Sequence, residues 1–228
     1  MSSMSPYRRP NSRPTPRNDR RRVWLWLLFL IPMGIVATLG FVVGLGIVFN
    51  MTGEVTTPSE EEQALVLNID HVTGWMADYR PDLGRETLTK TRYVDDSYEI
   101  EYTYDVPEDD AAPYLSYTLT FEPSSSDATT TYASYWGGTQ VAFMMFGAVD
   151  VTVEENNELF NWGDQSRFGI LTSEGKPFGN VFVARKESLV VYFILSGIYF
   201  DDPEEIDALL EPYLTKLQTY QAAAAVTP

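Results

Sequence analysis

Residues 97–106 read SYEIEYTYDV, and their alternation indicates the fold class of the folded part of the chain. Tyr, Ile and Val occupy every second position, and Ser, Glu, Thr and Asp occupy the positions between them. Successive side chains of a β-strand point to opposite faces of its sheet, so this pattern predicts a strand with one buried and one polar face. Such strands are typical of antiparallel sheets.

The neighbouring segments extend this strand into a sheet. Residues 115–121 repeat the alternation, and residues 87–94 are rich in Thr, so a meander of three strands is predicted with a turn at Asp95-Asp96. Four more strands are predicted at 149–153, 166–172, 179–185 and 189–196. Because the last of these is nearly all apolar, we expect a central strand that is covered on both faces.

Two helices have clear start signals. Ser59 and Glu62 form a capping box, and apolar residues then recur at helical spacing, which predicts a helix over residues 60–79. The second helix is predicted over residues 203–220, where Asp202 can cap and Pro203 suits the first position.

A third helix is predicted over residues 127–146, whose aromatic residues recur at intervals close to 3.6. Gly137-Gly138 is also a hairpin signal, so a hairpin stays open as the alternative. The order of elements predicts an α+β domain over residues 59–220, with an antiparallel sheet of six to seven strands and helices packed on it. This order resembles that of the PsbP/Mog1-type sandwich. The resemblance covers element order alone and implies no site residue.

A long apolar run precedes the domain. Residues 23–49 contain no Asp, Glu, Lys, Arg or His. At about 1.5 Å per residue this run spans ~40 Å as a helix, which exceeds the ~30 Å hydrocarbon core of a bilayer. We therefore predict a transmembrane helix that contacts membrane lipid. A cleaved signal peptide is disfavoured, because its apolar core would be much shorter and would end at a small-residue cleavage site.

The charges around the run predict its orientation. Residues 1–22 carry seven Arg and one Asp, whereas the other side opens with acidic residues. The positive-inside rule places the N-terminus in the cytoplasm and the domain outside. The predicted organisation is a disordered basic cytoplasmic arm (1–22), the span (23–49), a linker (50–58), the extracytoplasmic domain (59–220) and a tail (221–228).

Composition narrows the function classes. The net charge is −16, and because the arm contributes +6, the remaining residues carry −22 from 9 basic and 31 acidic side chains. A domain with this much negative charge repels nucleic acid. A salty habitat would also favour such an acidic composition. The chain has no cysteine, which excludes disulfides and thiol chemistry and suits a bacterial periplasmic or cell-surface domain.

The sequence contains no motif that commits it to a reaction. His71 is the only histidine, which excludes a histidine-based metal set, and we interpret it as an ordinary helix residue. The paired acidic residues fall in predicted turns or helix starts, and none fits the twelve-residue calcium loop. No catalytic residue, metal site or cofactor is predicted.

Two weak contact motifs remain. The loop around Trp162, Asp164 and Arg167 combines an aromatic, an acidic and a basic side chain, as partner contacts often do. The alternative interpretation folds Trp162 onto the core and pairs Arg167 with Asp164. Gly40 and Gly44 form a G-x-x-x-G motif in the apolar run, and this spacing permits close helix–helix contact in a homodimer.

These observations favour a membrane-anchored, non-catalytic binding or scaffolding module with a protein partner in the cell envelope. One alternative is a carboxylate-based hydrolase or small-ligand binder, which requires a deep pocket with converging acids. Another is a sensor or partner subunit that associates through its transmembrane helix.

Overall fold

The structure is a computed structural model that describes residues 53–74, 84–107, 112–145 and 151–224. The predicted arm, the predicted membrane span and the Gly40/Gly44 motif lie outside these ranges. Across the four described ranges, no helix combines the length and the apolar character that crossing a bilayer requires.

The described residues form an antiparallel sheet of eight strands in the order β1-β2-β3-β4-β8-β7-β6-β5. The strands are β1 (Glu54–Thr56), β2 (Arg85–Arg92), β3 (Tyr98–Asp105), β4 (Tyr114–Phe121), β5 (Val151–Glu155), β6 (Gln165–Ser173), β7 (Lys176–Lys186) and β8 (Leu189–Ser196). The predicted meander of β2, β3 and β4 is confirmed. The central position of β8 is also confirmed, because it pairs with β4 on one side and β7 on the other.

Strand β1 corrects the predicted linker at 50–58. Glu54 pairs with Arg92 and Thr56 with Lys90, so this segment is the edge of the sheet. All three residues of the strand are exposed, and a three-residue strand is too short to show a period in the sequence.

Within the described ranges, four helices pack on the sheet: α1 (Glu60–Gln63), α2 (Ile69–Thr73), α3 (Ser125–Met145) and α4 (Pro203–Ala224). Helix α3 resolves the choice at residues 127–146 in favour of the helix. Both Gly137 and Gly138 are accommodated inside it, with no neighbouring atom within 4 Å of a Cβ placed at either position. Helix α4 continues to Ala224, so residues 221–224 belong to the helix and not to the predicted tail at 221–228.

The predicted single helix over 60–79 is wrong within the described residues. The capping box of Ser59 and Glu62 is present, but α1 ends at Gln63. Leu65, Val66 and Leu67 follow, and all three are buried. Successive residues of a helix point in directions about 100° apart, so a regular helix cannot place three in a row against one core. The chain instead leaves the helix, buries all three side chains and begins again at α2.

Helices cover both faces of the sheet. Apolar side chains of β3, β4 and β8 that include Ile100, Leu119 and Phe193 form the larger core cluster with the α1–α2 connection, α2 and α4. The opposite face packs against α3, where Trp136 contributes to a smaller cluster and Tyr135 stacks on Tyr192 with ring centroids 4.9 Å apart. The polar face predicted for β3 therefore lies on the side that α3 covers.

A buried ion pair joins α1 to the sheet. The Glu62 side chain is only 7% exposed and contacts the Lys90 ammonium of β2. It also accepts hydrogen bonds from the Ser59 backbone N–H (2.9 Å) and from the Tyr220 hydroxyl of α4 (3.3 Å). Burial alone raises the pKa of Glu62, but the hydrogen bonds from Lys90 and Ser59 outweigh this and hold the pKa below its ordinary value. The charged carboxylate thus connects three elements that are distant in sequence.

Candidate ligand pocket

A pocket of about 580 Å³ lies between the polar face of β3 and β4, the β2–β3 turn and the first half of α3. This volume is within the range of small-molecule sites. Its lining combines three carboxylates with hydroxyl, phenol and apolar groups: Tyr93, Val94, Asp95, Ser97, Glu99, Thr120, Glu122, Thr131, Ser134 and Tyr135.

The inner wall of the pocket is set by strand register. Glu99 of β3 lies directly opposite Thr120 of β4. The Tyr135 hydroxyl of α3 reaches both, donating to Glu99 Oε2 (2.9 Å) and lying 2.9 Å from Thr120 Oγ1, which donates in turn. This network connects a carboxylate on the sheet to the helix above it, so Glu99 is half-buried although the alternation of β3 alone assigns it to a polar face.

Two of the carboxyl groups have a raised pKa. For Glu99, burial is the main cause, the Tyr135 hydrogen bond opposes it, and the negative charges of Glu101 and Glu122 add to it. Burial also raises the pKa of Glu122, and the hydrogen bond from Thr131 only partly offsets the increase. A carboxyl group in this state gains stability from a nearby positive charge.

Each carboxylate of the pocket is held by one oxygen. Asp95 Oδ1 accepts from the Ser97 backbone N–H (3.1 Å) and hydroxyl (2.6 Å), and the hydroxyl lowers the pKa of Asp95. Glu99 uses Oε2, and Glu122 accepts from the Thr131 hydroxyl through Oε1. Each of the three carboxylates is therefore held in position by at least one neighbouring hydroxyl group.

The electrostatic environment of the pocket is negative. No Lys or Arg occurs among its described lining residues. Burial and the charges of nearby acids that include Glu99 and Glu122 raise the pKa of Tyr93 to about 12, so this phenol stays neutral and can donate. In the part of the chain that the structure describes, no three acidic or histidine side chains converge closely enough to hold a metal ion.

The predicted contact loop lies elsewhere, and its three side chains do not form one patch. Trp162 packs at the edge of the larger core, with Lys186 over its ring. Asp164 forms an ion pair with Arg185 (3.4 Å) and accepts from the Glu187 backbone N–H (2.8 Å).

Arg167 lies on the opposite face of the sheet, over the Trp136 ring of α3, and its ion pair is with Glu155 (3.8 Å). The alternative interpretation therefore places Trp162 correctly, but its Arg167–Asp164 pair is wrong. A role for the loop in partner contact stays a prediction.

His71 lies in α2, and its interpretation as an ordinary helix residue stays a prediction. Its Nδ1 lies 2.5 Å from the Oδ1 of Asn68, the residue that caps α2, and its ring packs edge-on against Tyr213 at 5.2 Å. Both contacts are on the face of the sheet opposite the acidic pocket.

Sequence reasoning missed the acidic pocket. Glu99, Glu122 and Tyr135 belong to a strand, a connection and a helix, and no local motif joins them. The sequence held no clear signal for it, since Thr118 and Thr120 alternate with apolar residues as solvent-facing side chains do, although both are buried in the structure.

Comparison of the chain with protein-family models, with curated proteins and with solved structures gives no match. The geometry of the pocket is therefore the basis for proposing its function.

Proposed function

We propose that this chain is a single-pass membrane protein whose α+β domain is a non-catalytic ligand-binding module of the cell envelope. The apolar run at 23–49 anchors the domain, with the N-terminus in the cytoplasm. The domain takes a ligand into the pocket beneath α3.

The observation that supports this proposal most strongly is the state of the pocket carboxylates. Asp95, Glu99 and Glu122 line one pocket, and each accepts a hydrogen bond from a neighbouring hydroxyl group that fixes its position. Polar groups that are oriented in advance lower the entropic cost of binding.

The test uses a matched pair of blocking variants on adjacent residues of α3. Ser134 lines the pocket, whereas Ala133 is exposed and lies outside its lining. Full-length wild type, Ser134→Trp and Ala133→Trp are incubated with an envelope extract, purified in mild detergent and examined by native mass spectrometry. The proposal expects a stoichiometric small molecule on wild type and Ala133→Trp that is absent from Ser134→Trp. Identical spectra from all three proteins would contradict it.

A second candidate is the carboxylate-based hydrolase. It is favoured by the direction of the pKa shift of Glu99 and Glu122, because burial raises the pKa of a glutamate that acts as a general acid in the same way. If the pocket is catalytic, Glu99→Gln abolishes turnover of the molecule found by mass spectrometry but leaves it bound. Intact ligand recovered from wild type after prolonged incubation supports the binding module instead.

Self-association through the apolar run is a separate proposal. If Gly40 and Gly44 form the contact between two helices, replacing both with Ile removes the signal of a membrane dimerisation reporter. An unchanged signal rejects the homodimer and leaves the proposed role of the pocket unaffected.

A further inference from the structure

We propose that one corner of the sheet, formed by residues 53–56 and 92–96, rests on the surface of the membrane that holds the chain. The partner of this corner is a layer of zwitterionic phospholipid headgroups. The inference rests on the proposed membrane anchor and goes beyond it, because it assigns a lipid-contacting surface to the folded domain itself.

The strand register determines where the chain enters the domain. Glu54, the first residue of β1, pairs with Arg92, the last residue of β2. The chain therefore arrives at the end of the sheet where β2 turns into β3. Gly53 is packed against this end, because a Cβ added there would collide with Thr91 Cγ2 and lie 3.2 Å from the Tyr93 ring. The entering segment is thus held beside the β2–β3 turn.

The connection between the apolar run and β1 is too short to carry the corner far from a membrane. Only residues 50–53 separate Phe49 from Glu54. Even a fully extended chain covers no more than about 18 Å over this interval. As a helix the run spans ~40 Å, which matches the thickness of a bilayer with its headgroup layers. A chain anchored by this run therefore keeps the start of β1 within reach of the headgroups.

The corner also carries apolar side chains that face solvent. Val94 of the turn is 74% exposed and Val55 of β1 is 67% exposed, more than any other large apolar side chain in the described ranges. One exposed apolar side chain is ordinary, but two at the point where the chain would leave a membrane have a partner close by. Apolar side chains are stabilised when they enter the boundary between headgroups and acyl chains.

The charges of the corner indicate the class of lipid. Its exposed acids are Glu54, Asp95 and Asp96, and its exposed base is Arg92. Arg92 forms an ion pair with Asp96, so the charges of Glu54 and Asp95 are in excess. An anionic leaflet would repel these carboxylates, whereas a zwitterionic headgroup presents a cationic ammonium group to them.

The test uses fluorescent labels at single positions. The chain has no cysteine, so one introduced cysteine gives one labelled site. Full-length Val55→Cys, Val94→Cys and Tyr199→Cys are labelled with an NBD fluorophore and reconstituted in phosphatidylcholine nanodiscs. Tyr199 is the matched control, because it is also exposed (42%) and follows β8 at the opposite end of the sheet. Strand β8 has eight residues and spans about 26 Å.

Two quenchers report what surrounds each label. We expect headgroup-linked nitroxide lipids to quench the labels at residues 55 and 94, and dissolved iodide to quench the label at residue 199 much more strongly. The emission at residues 55 and 94 should also shift to the blue, because the fluorophore leaves water. Replacing half of the lipid with phosphatidylglycerol should restore iodide quenching at both positions.

A second set of variants tests the apolar contact itself. With the label at residue 55, Val94→Asp should restore iodide quenching, because a carboxylate at this position opposes contact with the lipid. Val141→Asp is the control, because Val141 is half-exposed on α3 and lies outside the corner. It should leave the label at residue 55 protected.

The inference is overturned if iodide quenches the labels at residues 55 and 94 as strongly as the label at residue 199. Protection from iodide without quenching by the nitroxide lipids also overturns it, because a protein such as a second copy of the chain would then cover the corner. Equal protection in nanodiscs that contain phosphatidylglycerol rejects the assigned lipid class. These outcomes leave the proposed anchor intact, whereas a full chain that does not enter nanodiscs rejects the anchor and this inference together.

Discussion

Replacing Glu62 with Gln tests whether the buried ion pair holds α1 against the sheet. The Glu62 side chain is 7% exposed and that of Lys90 is 25% exposed, so the substitution leaves the Lys90 ammonium largely desolvated with a neutral partner. Breaking a fully buried pair costs about 3–5 kcal/mol, and partial exposure of Lys90 reduces this to about 2–3 kcal/mol. For a domain of typical stability, this is a large fraction of the free energy of unfolding.

The assay is urea denaturation of the full chain in mild detergent, followed by tyrosine and tryptophan fluorescence. Glu62→Gln, Lys90→Met and the double variant form a cycle whose coupling energy isolates the pair. The control is Asp96→Asn, which breaks the surface ion pair between Asp96 and Arg92. The side chain of Asp96 is 82% exposed and that of Arg92 is 64% exposed. This control should cost less than about 0.5 kcal/mol. If Glu62→Gln costs no more than Asp96→Asn, the ion pair does not anchor α1 and the reasoning is refuted.

The remaining stability predictions use the same denaturation assay. Asn180→Ala should cost about 2–4 kcal/mol, because the buried Asn180 amide accepts from the Phe200 N–H (2.7 Å) and donates to its carbonyl (2.9 Å); a cost below 1 kcal/mol contradicts this. Tyr117→Phe should raise the free energy of unfolding by about 1 kcal/mol, since the Tyr117 hydroxyl is buried without a hydrogen bond among the described residues; a loss of stability would reveal a partner. Gly137→Ala should stabilise α3 by about 1 kcal/mol, because an added Cβ meets no atom within 4 Å; destabilisation would show that the helix is wrongly placed. Glu99→Gln should be increasingly stabilising relative to wild type as pH rises, because the raised pKa of Glu99 makes the folded state lose stability from the ordinary glutamate pKa upward; an advantage that shrinks with pH contradicts this sign.

Strand β3 shows what local pattern predicts well. Its alternation led directly to an antiparallel strand, and Tyr98 to Asp105 form that strand with Ile100, Tyr102 and Tyr104 in the core. The pattern reports a two-residue period, which is a property of the strand itself. It does not report what lies over the second face, so Glu99 was assigned to a polar face with no indication that α3 covers it.

The break between α1 and α2 shows where local pattern fails. The capping box correctly marks the start of α1, but the burial of Leu65, Val66 and Leu67 depends on the sheet beneath them. Tertiary burial overrode helical continuity, and Asn68, which caps α2, is the start signal in this stretch that the prediction of one continuous helix passed over.

The pocket could not be predicted because its geometry depends on long-range pairing. Glu99 meets Tyr135 only after β3 has paired with β4 and α3 has crossed the sheet. The ligand-binding alternative requires a pocket with converging acidic side chains. Nothing in the sequence indicates which of the many acidic residues would line it. The register of the strands determines which acidic side chains face the same cavity.

Carboxyl ¹³C NMR on the glutamate-labelled full chain tests the central claim most directly. The signals of Glu99 and Glu122 are assigned from the spectra of their Gln variants and titrated with pH. The account predicts that both carboxyl groups titrate above the ordinary glutamate range, because the covering helix α3 buries them against the sheet. Titration curves of Glu99 and Glu122 that coincide with those of the exposed glutamates of the chain would contradict it.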